Sequence, residues 1–255
     1  MRYGGFYFSN QAPYFAPSGW TGDLISLRRV TKSFGVGEAR LQVLRGVDLD
    51  IQTGEILLLV GPSGCGKTTL LSVVAGVLDS SEGEIEVFGQ RVDRMSRSEK
   101  ANFRRAVIGF AFQQFNLVPT LTAAENAAVP LLIRKLPYAK ALERAREYLA
   151  LLGLEDRTEF QPTQLSGGQQ QRIAIARALI AEPRFLVCDE PTAALDSEAG
   201  HQVMELLHQV GRKENRAVLI VTHDNRILSY GDRIAHMIDG KIVAINNNHE
   251  SRKES

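Results

Sequence analysis

Apolar and polar positions along the chain change period several times, and the changes mark out its elements. Leu24–Thr31 and Gln42–Ile51 alternate apolar and polar residues, the period of half-buried strands, and are predicted to pair antiparallel. Between them, Phe34 to Arg40 reads as a loop. Thr53-Gly54 then turns the chain into Ile56–Val60, an unbroken apolar run that suits a strand covered on both faces. Leu70, Leu71, Val73 and Val74 recur at helical spacing, and Gly76 supplies a stop. Glu84–Phe88 is a short strand closed by Gly89. Ser96–Arg105 is a polar helix, and Val107–Phe112 is a strand that runs into Gln113. Residues 120–160 read as helical: Leu121–Ile133, which Pro130 is expected to bend or end, and Tyr138–Leu152, which Gly153 caps. After Pro162 come a helix over Gln169–Ile180, a strand Phe185–Cys188, a helix Glu198–Val210 and a strand Ala217–Val221. Asp239-Gly240 joins Arg233–Ile238 to Lys241–Ile245 as a hairpin, and the polar tail from Asn246 is expected to fray. Strands alternating with helices predict an α/β fold with a mostly parallel core sheet. The early antiparallel strands and a helical region at about 115–165 are additions to that core.

Composition narrows the class. The 255 residues suffice for one large domain or two small ones, and 44% hydrophobic with 23% charged residues is ordinary for a globular protein. A formal net charge of +1 gives no reason to expect a nucleic-acid partner. Two cysteines, Cys65 and Cys188, do not make a disulfide framework and suit a reducing compartment. No apolar run approaches the ~20 residues that cross a bilayer. The N-terminus lacks the basic-then-apolar order of a signal peptide. These features predict a cytoplasmic chain whose membrane role, if any, comes through a partner. Residues 1–22 stand apart: Tyr3, Phe6, Tyr7, Phe8, Tyr14, Phe15 and Trp20 are scattered among Gly, Ser, Asn and Pro without periodicity. They read as a disordered extension or an upstream start included in error. The sharper alternative is an aromatic tail that docks on a partner or a membrane.

The chemistry centres on Gly61-Pro62-Ser63-Gly64-Cys65-Gly66-Lys67-Thr68-Thr69, which fits the phosphate-binding pattern G-x-x-x-x-G-K-[ST] between a strand and a helix. Glycines let the backbone turn its N–H groups inward, and the helix N-terminus adds partial positive charge. Lys67 is expected to reach the β- and γ-phosphates, and the Thr68 hydroxyl to ligate Mg²⁺. Cys65 has two readings: a thiol activated by the helix N-terminus and Lys67, or a replacement for serine that points away from the nucleotide. Phe185–Glu190 is an apolar strand ending in two carboxylates and looks like a Walker B motif. Asp189 would hold Mg²⁺, directly or through water, and Glu190 would orient or deprotonate the attacking water.

Leu165-Ser166-Gly167-Gly168-Gln169, followed by Gln170-Gln171-Arg172, offers a hydroxyl, bare backbone N–H groups and a helix dipole to a second phosphate. With this stretch the chain resembles the ATP-binding cassette (ABC) family, over roughly residues 24–245. The resemblance implies a P-loop, RecA-like core with an antiparallel β subdomain and an α-helical subdomain. It spans about 23–246, with 247–255 as a tail. It implies ATP and Mg²⁺ as ligands. It also implies a head-to-tail dimer in which each ATP lies between the phosphate loop of one copy and Ser166, Gly167, Gly168 and Gln169 of the other. Phe34 falls where an aromatic stacks on adenine; its other reading is a core aromatic. Gln113, with Gln114 beside it as an alternative, matches the glutamine that contacts Mg²⁺ and water and senses the membrane partner. Ala194-Leu195-Asp196 matches the loop that crosses the dimer interface, with Ala193 where Ser or Gly is usual. His223 matches the switch histidine at the γ-phosphate.

Within the family, Phe112 to Thr122 is similar to the MacB/LolD/FtsE branch. That similarity implies an integral membrane permease partner with a large extracytoplasmic domain, joined in some members by a periplasmic adaptor. The ATPase would then sit on the inner face of the plasma membrane. The branch exports lipoproteins, peptides or drugs, or transmits ATP-driven motion. Two other readings stay open: a regulatory FtsE-like ATPase, and a soluble assembly-factor cassette. Gln113–Thr122 and the helices to Gly153 are expected to dock the membrane subunit, with Phe115, Leu117 and Val118 lining a groove.

Overall fold

The computed structural model describes residues 24–211 and 216–248. The aromatic extension and most of the polar tail lie outside the described residues. Strands β1 (Leu24–Phe34) and β2 (Leu41–Gln52) pair antiparallel from Leu24 opposite Gln52 to Phe34 opposite Leu41. Ile25, Leu27 and Val30 of β1 and Leu44, Val47, Leu49 and Ile51 of β2 fill the core. Phe34 therefore ends a strand instead of opening a loop; the pairing with Leu41 carries β1 further than side-chain alternation indicates. With β4 (Glu82–Val87) and β5 (Gln90–Arg91) they form a four-stranded antiparallel sheet, ordered β2-β1-β4-β5.

The second sheet has six strands, ordered β10-β9-β3-β8-β7-β6. It contains β3 (Ile56–Val60), β6 (Ile108–Ala111), β7 (Phe185–Asp189), β8 (Ala217–Thr222), β9 (Arg233–Ile238) and β10 (Lys241–Asn247). All neighbours are parallel except the β9–β10 hairpin. Pairing of Asn247 with Arg233 holds β10 straight through Asn246, where fraying was expected.

Each central strand is shared between two cores. Ile56, Leu58, Leu186, Cys188, Val218 and Ile220 face one core; Leu57, Leu59, Phe185, Val187, Leu219 and Val221 face the other. Burial on both faces is why these strands read as unbroken apolar runs. Helices α1 (Lys67–Val74) and α2 (Arg97–Val107) pack with the antiparallel sheet over one face. On the other lie α3 (Ala123–Ile133), α4 (Tyr138–Leu151), α5 (Gly167–Leu179) and α6 (Ser197–Gly211).

Local chemistry sets the helix ends. Ser96 with Glu99, Thr122 with Glu125 and Ser166 with Gln169 form reciprocal capping boxes. Gly153 (φ +66°) closes α4 as expected, with Leu154 N–H reaching back to the Leu149 carbonyl. One boundary differs from expectation. Val107 is the last residue of α2, buried in the core, and β6 begins at Ile108. Pro130 sits inside α3 without ending it, and the helix runs on to Ile133, the last residue expected of it. Among the described residues no helix is long and apolar enough to cross a membrane.

Candidate nucleotide site

The site lies at the carboxyl ends of β3, β7 and β8, where open α/β sheets bind ligands. From β3 the chain enters the phosphate loop. Gly64 (φ +79°) and Gly66 (φ +107°) are left-handed, and a Cβ at Gly61 would stand 2.1 Å from the Met237 carbonyl oxygen. The loop delivers the chain into α1, whose first N–H groups have no intrahelical acceptor. Lys67 is buried and folds back, donating from Nζ to the carbonyls of Gly61 (2.7 Å) and Pro62 (2.9 Å). Cys65 is only 6% exposed, and its side chain belongs to the core between the sheets. Its thiol is thus packed inside the fold and not open to solvent. Cys188 is buried as well, and burial pushes its thiol well above the ordinary range.

Asp189 ends β7 at 4% exposure. Its Oδ1 lies 3.4 Å from the Thr68 hydroxyl, across the gap between β7 and α1. Burial raises its pKa, and the Glu190 charge adds to the rise. The Thr68 hydroxyl and the Lys67 charge oppose it. A buried carboxylate and a hydroxyl facing one gap are hard oxygen donors of the kind Mg²⁺ takes. Glu190 follows in a left-handed conformation (φ +52°), with its N–H on the Val221 carbonyl at 2.9 Å. Its carboxylate is 8% exposed and gripped twice by His223: Nδ1 at 2.7 Å and the backbone N–H at 3.2 Å. Two residues that sequence reading treats separately thus form one unit.

Behind that unit runs a network with no sequence signature. Thr192 Oγ1 donates to Asp224 (3.1 Å), and Arg226 grips Asp224 while donating to Ser197 Oγ (3.0 Å). The Arg226 guanidinium holds the Asp224 carboxyl down at about 2. The glutamate loop, the 194–196 loop and the histidine loop are therefore tied together. Asp196 accepts from Ala199 N–H (2.8 Å), capping α6.

Ser166 caps α5, its hydroxyl accepting from Gln169 N–H (3.3 Å) while Gln169 Oε1 accepts from Ser166 N–H (2.9 Å). Gly167 and Gly168 lie against Ala194 and Leu195; a Cβ at Gly168 would meet Leu195 Cδ2 at 3.1 Å. Among the described residues no hydrogen bond links this stretch to the phosphate loop. Gln113 and Gln114 are both exposed just beyond β6. Downstream, fully buried Asn126 shapes residues 118–122, bonding Val118 N–H and the carbonyls of Val118, Leu121 and Thr122. Phe34 is 41% exposed, with Lys32 Nζ 5.1 Å from its ring centre, so it is no core aromatic. Nothing in the apolar periodicity marks Asn126, Thr192 or Arg226; their partners are set by the fold.

A phosphate loop, a buried acid beside its threonine and a second serine-capped helix N-terminus define a nucleotide-hydrolysing cassette. The family model described as ABC transporter matches residues 44–193. An uncharacterized ABC transporter ATP-binding protein of Methanocaldococcus jannaschii is 42% identical over 88% of this chain and 100% of its own length. The macrolide export ATP-binding/permease protein MacB of Escherichia coli K12 is 43% identical over 86% of this chain, which spans 34% of MacB. The ATP-binding cassette MJ0796, solved as a dimer in a post-hydrolysis state bound to ADP and Pi, superposes with a TM-score of 0.84 at 38% identity. That match covers 88% of this chain and 98% of the cassette. The chain belongs to the ABC transporter family, as an ATP-binding subunit that hydrolyses ATP.

Proposed function

We propose that this ATPase drives a membrane export or mechanotransmission complex of the MacB-like kind. The observation that carries the reading is 43% identity across the ATP-binding third of MacB. In this reading two copies pack head to tail, with ATP between Lys67 of one and Ser166–Gln169 of the other. The dimeric form of the similar MJ0796 cassette supports that pairing. A membrane permease docks each copy at the inner face of the plasma membrane, near Gln113–Thr122. A groove of about 420 Å³ lies beside that segment and not in it: Phe110, Pro130, Ile133 and Arg177 line it, and Phe115, Leu117 and Val118 do not.

Each residue has a task in turnover. Lys67 exchanges its two carbonyl contacts for phosphate oxygens. The free N–H groups at the start of α1 take the rest of the phosphate charge. The Thr68 hydroxyl and the Asp189 carboxylate would hold Mg²⁺, with Gln113 reaching in from its turn. The metal, when bound, neutralises charge on the β- and γ-phosphates. Glu190 orients the attacking water and takes its proton, while His223 fixes the carboxylate and faces the γ-phosphate. Phe34 offers its face to adenine.

Purification of the tagged chain from membranes tests the cellular role. An integral membrane subunit with a large extracytoplasmic domain is expected to copurify. Recovery with a soluble assembly complex, and none from membranes, would overturn the reading.

A further inference from the structure

The turn that carries Gln113 is bent against its own backbone preferences. Phe115 (φ 42°) and Asn116 (φ 49°) are both left-handed; asparagine takes that conformation readily, but a bulky side chain such as Phe115 avoids it. Asn116 N–H reaches the Gln114 carbonyl and closes a three-residue turn around Phe115. Left-handed non-glycine residues such as Phe115 occupy sparsely populated backbone conformations. They persist only where their surroundings over-determine them.

Here α5 supplies the constraint. Arg177 donates from Nη1 to the Asn116 carbonyl and from Nη2 to the Phe115 carbonyl, both at 2.6 Å. The fork of one guanidinium thus fixes two consecutive peptide units, a geometry the lysine ammonium cannot copy. No carboxylate pairs with Arg177 among the described residues, and burial alone lowers its pKa. The desolvation of a half-buried guanidinium without a carboxylate is offset only by its hydrogen bonds, so its place depends on those two carbonyls. The same helix passes close to the turn near its start, where a Cβ added at Gly167 would reach the Phe115 ring at 3.8 Å. Helix α5 therefore holds the glutamine turn through Arg177 and runs beside it at Gly167. On its other side Arg177 lines the groove described above.

We propose that Arg177 is a positioning residue for ATP hydrolysis, clamping the 114–116 turn so that Gln113 faces the nucleotide. The proposal rests on the role given to Gln113 above. It also gives α5, the helix that Ser166 caps, a direct hold on the glutamine turn of its own chain.

The test compares full-length parent with Arg177→Met, Arg177→Lys, Gln113→Ala and the Gln113→Ala/Arg177→Met pair. Readouts are ATP turnover, affinity for a fluorescent ATP analogue, and amide hydrogen exchange by mass spectrometry. Arg177→Met should lower kcat about tenfold or more, with KM and analogue affinity within about twofold. Exchange should rise within residues 113–118 while β6 and α5 keep parental protection. Arg177→Lys should fall between, and the pair should be no slower than Gln113→Ala alone. Parental kcat in Arg177→Met, or unchanged exchange at 113–118, overturns the clamp. A rise spreading through α5 and β6 marks a merely structural arginine and overturns it too; Arg177→Lys decides if the methionine variant does not fold. If Gln113→Ala itself keeps full turnover, the reading of Gln113 fails, while the exchange data still judge the clamp.

Discussion

Glu190 and His223 lie 33 residues apart in the chain and 2.7 Å apart in the fold. Glu190→Gln removes the base but keeps Lys67, Thr68 and Asp189, so ATP should bind and turnover should fall about 100-fold or more. Turnover and nucleotide retention on a filter check this; undiminished hydrolysis would remove Glu190 from its role. Cys65 supplies a second prediction. With both thiols buried, maleimide should label the native chain only slowly and react with both cysteines after denaturation, with or without Mg-ATP. Fast native labelling at Cys65 would mean the loop opens far more than its packing indicates. At this scale the sequence is most legible where chemistry is contiguous. Gly61–Thr69, Ser166–Gln169 and Asp189-Glu190 are short words with fixed spacing. It is least legible where a side chain answers to another strand, as Thr192 and Arg226 answer to Asp224, or where Cys65 turns inward.

Among the elements, α4 carries a titratable probe of its own packing. Tyr148 is buried there, and burial pushes its hydroxyl up to about 12. The raised value fixes the sign. Stability from this group is complete below about pH 10, its unfolded value, and is lost as pH rises toward about 12. At about 1.4 kcal/mol per unit the loss reaches roughly 3 kcal/mol. Denaturant midpoints of parent and Tyr148→Phe between pH 9 and 12 should diverge in slope, the phenylalanine variant being flatter; parallel slopes would place the phenol in water. Element types were readable because the 2-residue and 3.6-residue periods differ. The seam at Val107 was not, since an apolar run cannot say where a helix hands over to a strand. Nor does periodicity decide between Pro130 bending α3 and ending it, which depends on what packs around it.

For the whole molecule, assembly is the variable that ATP is expected to control. If each ATP bridges two copies, binding and association are linked by mass action. Light scattering should show monomers without nucleotide and dimers for Glu190→Gln with ATP. Adding Ser166→Arg should abolish the dimer while leaving ATP binding to the monomer within a few-fold. A dimer that survives the arginine would refute head-to-tail pairing. The α/β class followed from alternating elements, but the strand order β10-β9-β3-β8-β7-β6 did not, because periodicity records which face is buried and not which strand lies alongside.

The division of each central strand between two cores has a consequence for chemistry. A slip of one residue in β3, β7 or β8 would exchange the side chains facing each core, so no small slip is tolerated. One residue of slip is also about 3.3 Å along a parallel strand. That distance would separate Thr68 from Asp189, or Glu190 from His223. The apolar interior therefore acts as a length gauge for the polar site above it. Methyl groups that never meet nucleotide set, to a fraction of a bond contact, the height at which a lysine, two acids and a histidine stand.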